Sequence, residues 1–521
     1  MLSRRELLWS AAASSLLLPF ATYAQQSESG RRTFRHGVAS GDPLADRVML
    51  WTRVTPLVPP STTAAAPTRL VRPVEVRWRV ASDASLTRIV RSGTAMTSSD
   101  RDYTVKVDVS GLDAGRTYYY AFETGSERSP IGRTKTLPAS TDRVQFGVVS
   151  CANYPAGYFN VYRMLANRGD LDAIVHLGDY LYEFANGVYG DGAVLQRLPR
   201  PLGEAYTLQD YRMRYATYRS DLDLQEAHRQ HPFIAVWDDH ELANNAWSGG
   251  AENHHPERGQ GDWAARRAGA YRAYMEWMPI REATEAGIRL FRTFRYGTLA
   301  DLVMLDARGL RDQQVSANDL AGLTDVNRRM LGAAQEAWFY DTLRTSQRSG
   351  TRWRIIGQQI LFSRMRPSGR PAQLPDAWEG YQAERERVLD FLQRERVNNV
   401  AILAGDLHSS WALDVPRDPW SGYQTRTGEG SLAVEFVTPA ISSDGLFTPS
   451  QAGSLEAALR IGMPHLKFIE GQQRGYVLLD ITPQRVRASW HFAQTVAAQS
   501  TEERLAASFV CEAGSSRLAP A

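Results

Sequence analysis

The chain has 521 residues, 43% of them hydrophobic and 22% charged, with a formal net charge of only +3. That length allows two or three domains around a large core, and the composition is that of an ordinary globular protein. The cations are dispersed, without a dense Lys/Arg block, which argues against a nucleic-acid-binding protein.

Residues 1–24 read as a targeting segment. Ser3-Arg4-Arg5-Glu6-Leu7-Leu8 is a twin-arginine pattern, followed by an apolar run to Phe20 and a cleavage position after Ala24. The run is short and broken by Ser and Pro, so it does not suit a membrane anchor. Export by the twin-arginine machinery to the periplasm or beyond is expected, with no stable membrane span after cleavage.

Residues 34–140 are expected to be all-β. Val74, Val76, Trp78 and Val80 alternate with charged residues, and Tyr103, Val105, Val107 and Val109 repeat the pattern of half-buried antiparallel strands. Gly111-Leu112-Asp113-Ala114-Gly115-Arg116-Thr117-Tyr118 resembles the Leu-turn-Tyr stretch of fibronectin type III domains, which implies a small sandwich. The Pro/Ala/Thr-rich stretch Pro56 to Pro67 reads as a loop within it. No ligand cluster appears here, so a structural module is expected.

A catalytic domain follows over residues 144–492, leaving a tail at 493–521 as a candidate cover for the active site. The domain is organised around Phe146 to Glu183. Phe146 to Val149 is a short β-branched run, residues 157–168 carry helical spacing, and Ala173 to Leu177 is a second buried strand. Strand, helix and strand make a right-handed βαβ unit with parallel strands. Ligands of open α/β sheets bind at the carboxyl edge. There the sequence places Cys151 and Asn153 after the first strand, and Asp179 and Tyr182 after the second. Two further apolar runs end alike. Phe233 to Trp237 leads into Asp238-Asp239-His240-Glu241 with Asn244 and Asn245, and Val400 to Ala404 leads into Gly405-Asp406-Leu407-His408. Four strand ends that each deliver Cys, Asp, Asn or His point to a metal centre. Residues 186–232 and 247–290 are Arg-, Tyr- and Gly-rich insertions, expected to wall the substrate pocket.

These motifs resemble the metallophosphoesterases, with a Gly-Asp-x-x-Tyr variant shared by purple acid phosphatases. The closer resemblance is to the PhoD-like alkaline phosphatase/phosphodiesterase family. It is carried by Ser150-Cys151-Ala152-Asn153-Tyr154, His176 to Glu183, Trp237 to Glu241 with Asn244-Asn245, and Gly405 to Ser409. His36 to Pro43, Glu435 to Thr438 and Gln473 to Val477 fit it too. The resemblance implies an α/β fold: a metallophosphoesterase-like βαβ sandwich of sheets flanked by helices, preceded by the small all-β domain. It also implies a secreted phosphomonoesterase or phosphodiesterase with an iron and calcium centre.

The residue chemistry agrees. Asp179 can bridge two cations. Cys151 and Tyr182 are anionic donors suited to ferric iron, and His408 completes that first site. Asp179, Asp239, Asp406 and one of Asn244 or Asn245 would give an oxygen-rich second site suited to calcium, with magnesium, manganese and zinc open as alternatives. Asp238 and Asp239 are adjacent and point differently, so Asp239 alone is expected as a ligand. A further ligand from Gln358 or Gln359 is a weaker expectation. His240 is a candidate proton donor or phosphate contact, and Arg474 a candidate phosphate contact or structural ion-pair residue. His176 is expected to be buried structure. The two cysteines, Cys151 and Cys511, admit a disulfide or an iron thiolate with Cys511 free. The position of Cys151 at a strand end favours the second. The expected substrate is a phosphoester. Rival readings are a phospholipase D-type phosphodiesterase acting on lipid or cell-wall polymer, and an inert exported binding protein.

Overall fold

The computed structural model describes residues 33–55, 73–282 and 289–521. The twin-arginine segment and the Pro56 to Pro67 loop lie outside them.

The expected βαβ unit is present. Val144–Val149 and Ala173–His176 pair in parallel, joined through the helix Asn160–Ala166. Pro232–Ala235 pairs in parallel with Ala173–His176, and Val38–Gly41 pairs in parallel with Pro232–Ala235. These four strands are fully buried, which is why their sequences are apolar without alternation. They form the centre of a 10-stranded sheet. The fourth ligand-bearing strand, Val400–Ala404, belongs to a different, 7-stranded sheet, between Trp353–Gly357 and Ser431–Val437.

The two sheets face each other. Phe146, Val148, Ile174 and Phe233 share one apolar core with Leu302, Ile355, Ala401, Leu403 and Phe436. Ile402 and Ala404 point the opposite way, into a second core with Phe339 and Leu343 of the helix Gly332–Arg348 and Leu389 of Gln382–Arg394. Strand alternation therefore sorts one run into two cores.

The N-terminal region is all-β, but it is not a free-standing sandwich. Its strands Val74–Ala81, Ile89–Thr97 and Thr117–Thr124 make a separate 5-stranded sheet with Glu127–Arg128 and Gly132–Lys135. The facing layer, Val38–Gly41, Arg47–Arg53 and Thr104–Ser110, is the end of the 10-stranded sheet. Lys106 shows the consequence: from that layer it donates to Met275 O at 2.7 Å, on the helix Trp263–Trp277. The tail closes the opposite edge. Glu503–Glu512 pairs with Arg485–Ala493, and Leu518–Pro520 pairs with Glu503–Glu512. Phe509, Cys511 and Leu518 are buried there. These residues form a sheet edge, because their apolar side chains have a core to fill.

Candidate metal centre

The centre lies where the carboxyl edges of the two sheets meet. Gly178 and Gly405 permit the approach. A Cβ on Gly178 would stand 2.4 Å from Asp238 Cβ, and one on Gly405 would stand 2.6 Å from Ser150 Oγ. Each glycine is followed by an aspartate in the left-handed backbone region: φ is 54° at Asp179 and 61° at Asp406. Cys151 (62°), Asn245 (53°) and His408 (50°) share that conformation. Each such residue costs on the order of 1 kcal/mol or more, and strain of this kind clusters at functional sites. Glu241, fully buried, staples the loops: its carboxylate accepts from the backbone of Asp179 at 3.0 Å, Tyr180 at 2.7 Å and Asp238 at 2.8 Å.

One corner gathers Cys151, Asp179 and His408, with one ligand atom from each lying within 4.8 Å of the others. Tyr182 OH lies 3.0 Å from Asp179 Oδ2 and 3.0 Å from His408 Nε2. His408 Nδ1 is 2.8 Å from Asp444 O, an arrangement that leaves the Nε2 lone pair turned into the corner. Burial, with the Asp179 charge beside them, pushes the Cys151 thiol and Tyr182 phenol well above their ordinary values. Burial, with charge on His240, takes His408 down to about 4. A cation is the partner that allows a buried thiol and phenol to ionise.

The second corner is carboxylate. Asp179, Asp239 and His240 form one group, and Asp238, Asp239 and Asp406 another. Both Asp238 and Asp239 turn into this corner, contrary to the expectation that only Asp239 would, because a tight loop, not a strand, carries them. Buried among them is Arg308. It bonds Asp238, Asp376 and Asp406, the last at 2.8 Å, and lies 3.4 Å from Asp239. Burial pushes Asp406 up to about 6 against the pull of Arg308. At Asp239 burial acts the same way, but Arg308 and His240 prevail and hold it down to about 2. Asp238 Oδ2 is buried without a hydrogen-bond partner, and Asp239 Oδ1 makes no hydrogen bond beyond its 3.4 Å ion pair with Arg308. Such underbonded carboxylate oxygens beside thiol, phenol and imidazole donors are a set that fits metal ions.

His240 stands between the corners. Its Nδ1 is 2.8 Å from Glu183, and its ring stacks on Tyr182 with centroids 4.2 Å apart. Burial opposes its protonation, but Asp239, Glu183 and Asp179 together raise its pKa well above the ordinary histidine value. Tyr189, from the first insertion, places its hydroxyl 2.9 Å from His408 Nδ1.

Other expected residues sit differently. Asn244 and Asn245 both turn their amide nitrogens to Glu252, at 3.2 and 2.5 Å, while Asn245 N donates to Asp239 Oδ2 at 2.6 Å. Arg474 is tied to Ser443 O, Gln472 O and Asp444. Gln358 and Gln359 are not turned to the centre as ligands. Gln359 joins Ala307 N, Trp237 O and Leu305 O, and Gln358 accepts from Ile360 N and Trp378 Nε1. These amides satisfy loop backbone at the strand ends. His176 is fully buried with Tyr162 OH 2.8 Å from its Nε2, and Cys151 and Cys511 are both free thiols. Arg308, Asp376, Ser443 and Tyr189 were not singled out from sequence. Arg308 had a signal: Asp306-Ala307-Arg308-Gly309 ends the strand Ala300–Met304 as the ligand motifs end theirs.

Comparison with known proteins agrees with this architecture. A model described as PhoD-like phosphatase matches residues 146–490, and one described as PhoD-like phosphatase, N-terminal domain, matches residues 21–138. Alkaline phosphatase D of Bacillus subtilis (strain 168) is 38% identical over 491 residues, covering 92% of this chain and 80% of that protein. A solved structure of PhoD superposes with a TM-score of 0.83 at 35% identity, over 94% of this chain and 92% of that one. A purple acid phosphatase from yellow lupin (Lupinus luteus) seeds shares the fold, with a TM-score of 0.55 at 12% identity over 91% of this chain and 73% of that one. Fold and site together define a phosphoric ester hydrolase with candidate metal-binding groups at the meeting of two sheets. The chain belongs to the PhoD-like phosphatase family.

Proposed function

We propose that this protein is an exported alkaline phosphatase/phosphodiesterase that works with a mixed iron and calcium centre. The observation that carries the reading is the convergence of Cys151, Asp179, Tyr182 and His408 in one corner, and of Asp239 with Asp179 on one side and with Asp238 and Asp406 on the other in the second. In this reading Cys151, Asp179, Tyr182 and His408 would hold ferric iron, and Asp179, Asp239 and Asp406 would hold a hard cation, calcium first among them. Asn244 and Asn245 are retained only as candidates for the second cation. When bound, such cations supply Lewis-acid activation of phosphate and water.

The chain's own groups supply the rest. Glu183 fixes His240 through Nδ1, so Nε2 is the ring nitrogen left for substrate. His240 is assigned either to hold a phosphate oxygen or to give its proton to the leaving oxygen. Tyr189 and Phe184 pack as aromatic walls beside it, with Phe184 centred 5.2 Å from His240. Export rests on the twin-arginine pattern of the leader; among the described residues no helix is long and apolar enough to cross a membrane.

The test is turnover of p-nitrophenyl phosphate beside the bis ester, with metal analysis of the same natively exported protein. Hydrolysis of either ester that disappears with chelation and returns with added iron and calcium supports the reading. Turnover that survives complete removal of metal contradicts it.

A further inference from the structure

Residues 440–444 cross the back of the thiol and phenol corner as a strap. Ser442 N and Ser443 N each reach Cys151 O at 3.4 Å, and Ser443 Oγ lies 3.0 Å from the same oxygen. That hydroxyl is also 2.8 Å from Tyr182 OH. One residue on, Asp444 O is 2.8 Å from His408 Nδ1. Three candidate iron donors thus lean on three consecutive residues.

The strap is itself gripped from outside by Arg474. Nε donates to Ser443 O at 3.0 Å, Nη2 to Asp444 Oδ1 at 3.0 Å and Nη1 to Gln472 O at 2.6 Å. All three guanidinium nitrogens are engaged, two of them by backbone carbonyls. Arg474 also lines a cavity of about 530 Å³ with Asp444, Gly190 and Thr495, so its position alone would admit a phosphate contact. Its hydrogen bonds favour another role.

We propose that Arg474 is a positioning residue: it clamps the Ser442–Asp444 strap and so fixes Tyr182 and His408 as iron donors. The chemistry is that of outer partners generally. A carbonyl on Nδ1 sets the tautomer and aim of a ligating imidazole, and a hydroxyl beside a phenol oxygen fixes its approach and carries some of its charge. Arg474 acts one step further out, by holding those partners still. The inference rests on the iron reading of the first corner.

The experiment compares natively exported wild-type protein with Arg474→Met, Arg474→Lys and Asp444→Asn. Iron per chain is measured after a graded chelator challenge, with the visible spectrum, and with kcat and KM for p-nitrophenyl phosphate. Arg474→Met should shed iron at roughly 10–100-fold lower chelator concentration, shift the visible band and lower kcat, with KM of the iron-loaded fraction unchanged. Arg474→Lys should restore part of the iron retention. Asp444→Asn, at a side chain that is 71% exposed and therefore safe for folding, keeps the carbonyl but loses the ion pair, and should move the same readouts by less. A raised KM with wild-type iron retention and spectrum would make Arg474 a phosphate contact and overturn the inference. Unaltered iron and spectrum in both Arg474→Met and Asp444→Asn would also overturn it. Wild-type protein without iron would overturn the iron reading and this inference together, so the two failures are distinguishable.

Discussion

Around Cys151, Tyr182 and His408 the donors are held, the shared Asp179 carboxylate aside, by neutral groups: the Ser443 hydroxyl, the Asp444 carbonyl and the Tyr189 phenol. Around Asp238, Asp239 and Asp406 they are held by a buried cation, Arg308. The first corner is therefore organised before any metal arrives, and its protons are what a metal must displace. The second corner carries charge that must be balanced at all times, and Arg308 balances part of it. Two sites built from adjacent loops thus depend on different physics, one on orientation and one on charge compensation.

Asp179 belongs to both corners, so its loss should erase the difference between them. Asp179→Asn is expected to abolish turnover and to lose at least one metal, an effect beyond the roughly 10–100-fold of an outer partner. Activity and metal content measured on the purified variant check this; full retention of both would remove the basis of the two-corner description.

Arg308→Met probes the charge-held corner alone. It leaves buried carboxylates uncompensated and should destabilise the metal-free protein by about 3–5 kcal/mol. Saturating calcium should recover much of that loss, because a divalent cation can take over the compensation. Chemical denaturation with and without calcium measures both numbers. Equal destabilisation in the two conditions would mean that Arg308 is structural in a sense unrelated to the metal.

An effect of comparable size, but confined to acid pH, comes from beneath the centre. Burial holds His176 down to about 3, against an unfolded value near 6.5. The unfolded chain then binds the extra proton between those limits, so stability rises with pH across the window and is lost as pH falls from 6.5 toward 3. At roughly 1.4 kcal/mol per unit the contribution is a few kcal/mol. His176→Gln should flatten that slope in thermal denaturation at a series of pH values. An unchanged slope would assign acid sensitivity to the carboxylates alone.

The smallest effect is expected at the other thiol. Cys511 is buried on the strand Glu503–Glu512, paired between Val486 and Leu518, with Sγ 3.3 Å from Ser515 O. Cys511→Ser should leave colour, iron content and kcat as they are. A loss of colour on that substitution would contradict the assignment of the two thiols.

Local pattern explains which of these features were legible in sequence. Gly178-Asp179 and Gly405-Asp406 follow fully buried strands, and a glycine, a left-handed aspartate and a strand end are all local properties. The βαβ unit is likewise written in 33 consecutive residues, 144–176. Arg308 and Ser443 escaped because their partners lie 70 and 261 positions away, at Asp238 and Tyr182, and no periodicity reports such distances. Alternation correctly marked Val74–Ala81 and Thr104–Ser110 as half-buried strands, yet it is blind to which sheet a strand joins. Hence the N-terminal region was expected to stand alone when one of its layers continues the catalytic sheet. Gln358 and Gln359 followed a buried strand as ligands do, but the distant Trp237 and Leu305 carbonyls claimed the amide of Gln359, and the Ile360 backbone and the Trp378 indole that of Gln358.

The most direct test of the two-corner account is the visible spectrum and iron content of natively exported wild-type protein beside Cys151→Ser. A thiolate and a phenolate on ferric iron both donate charge to the metal, so the wild type should be coloured, with a broad visible band. Cys151→Ser should bleach or shift that band and weaken iron retention, because a neutral hydroxyl is a far poorer ligand than a thiolate. A colourless, iron-free wild-type enzyme with full activity would contradict the account.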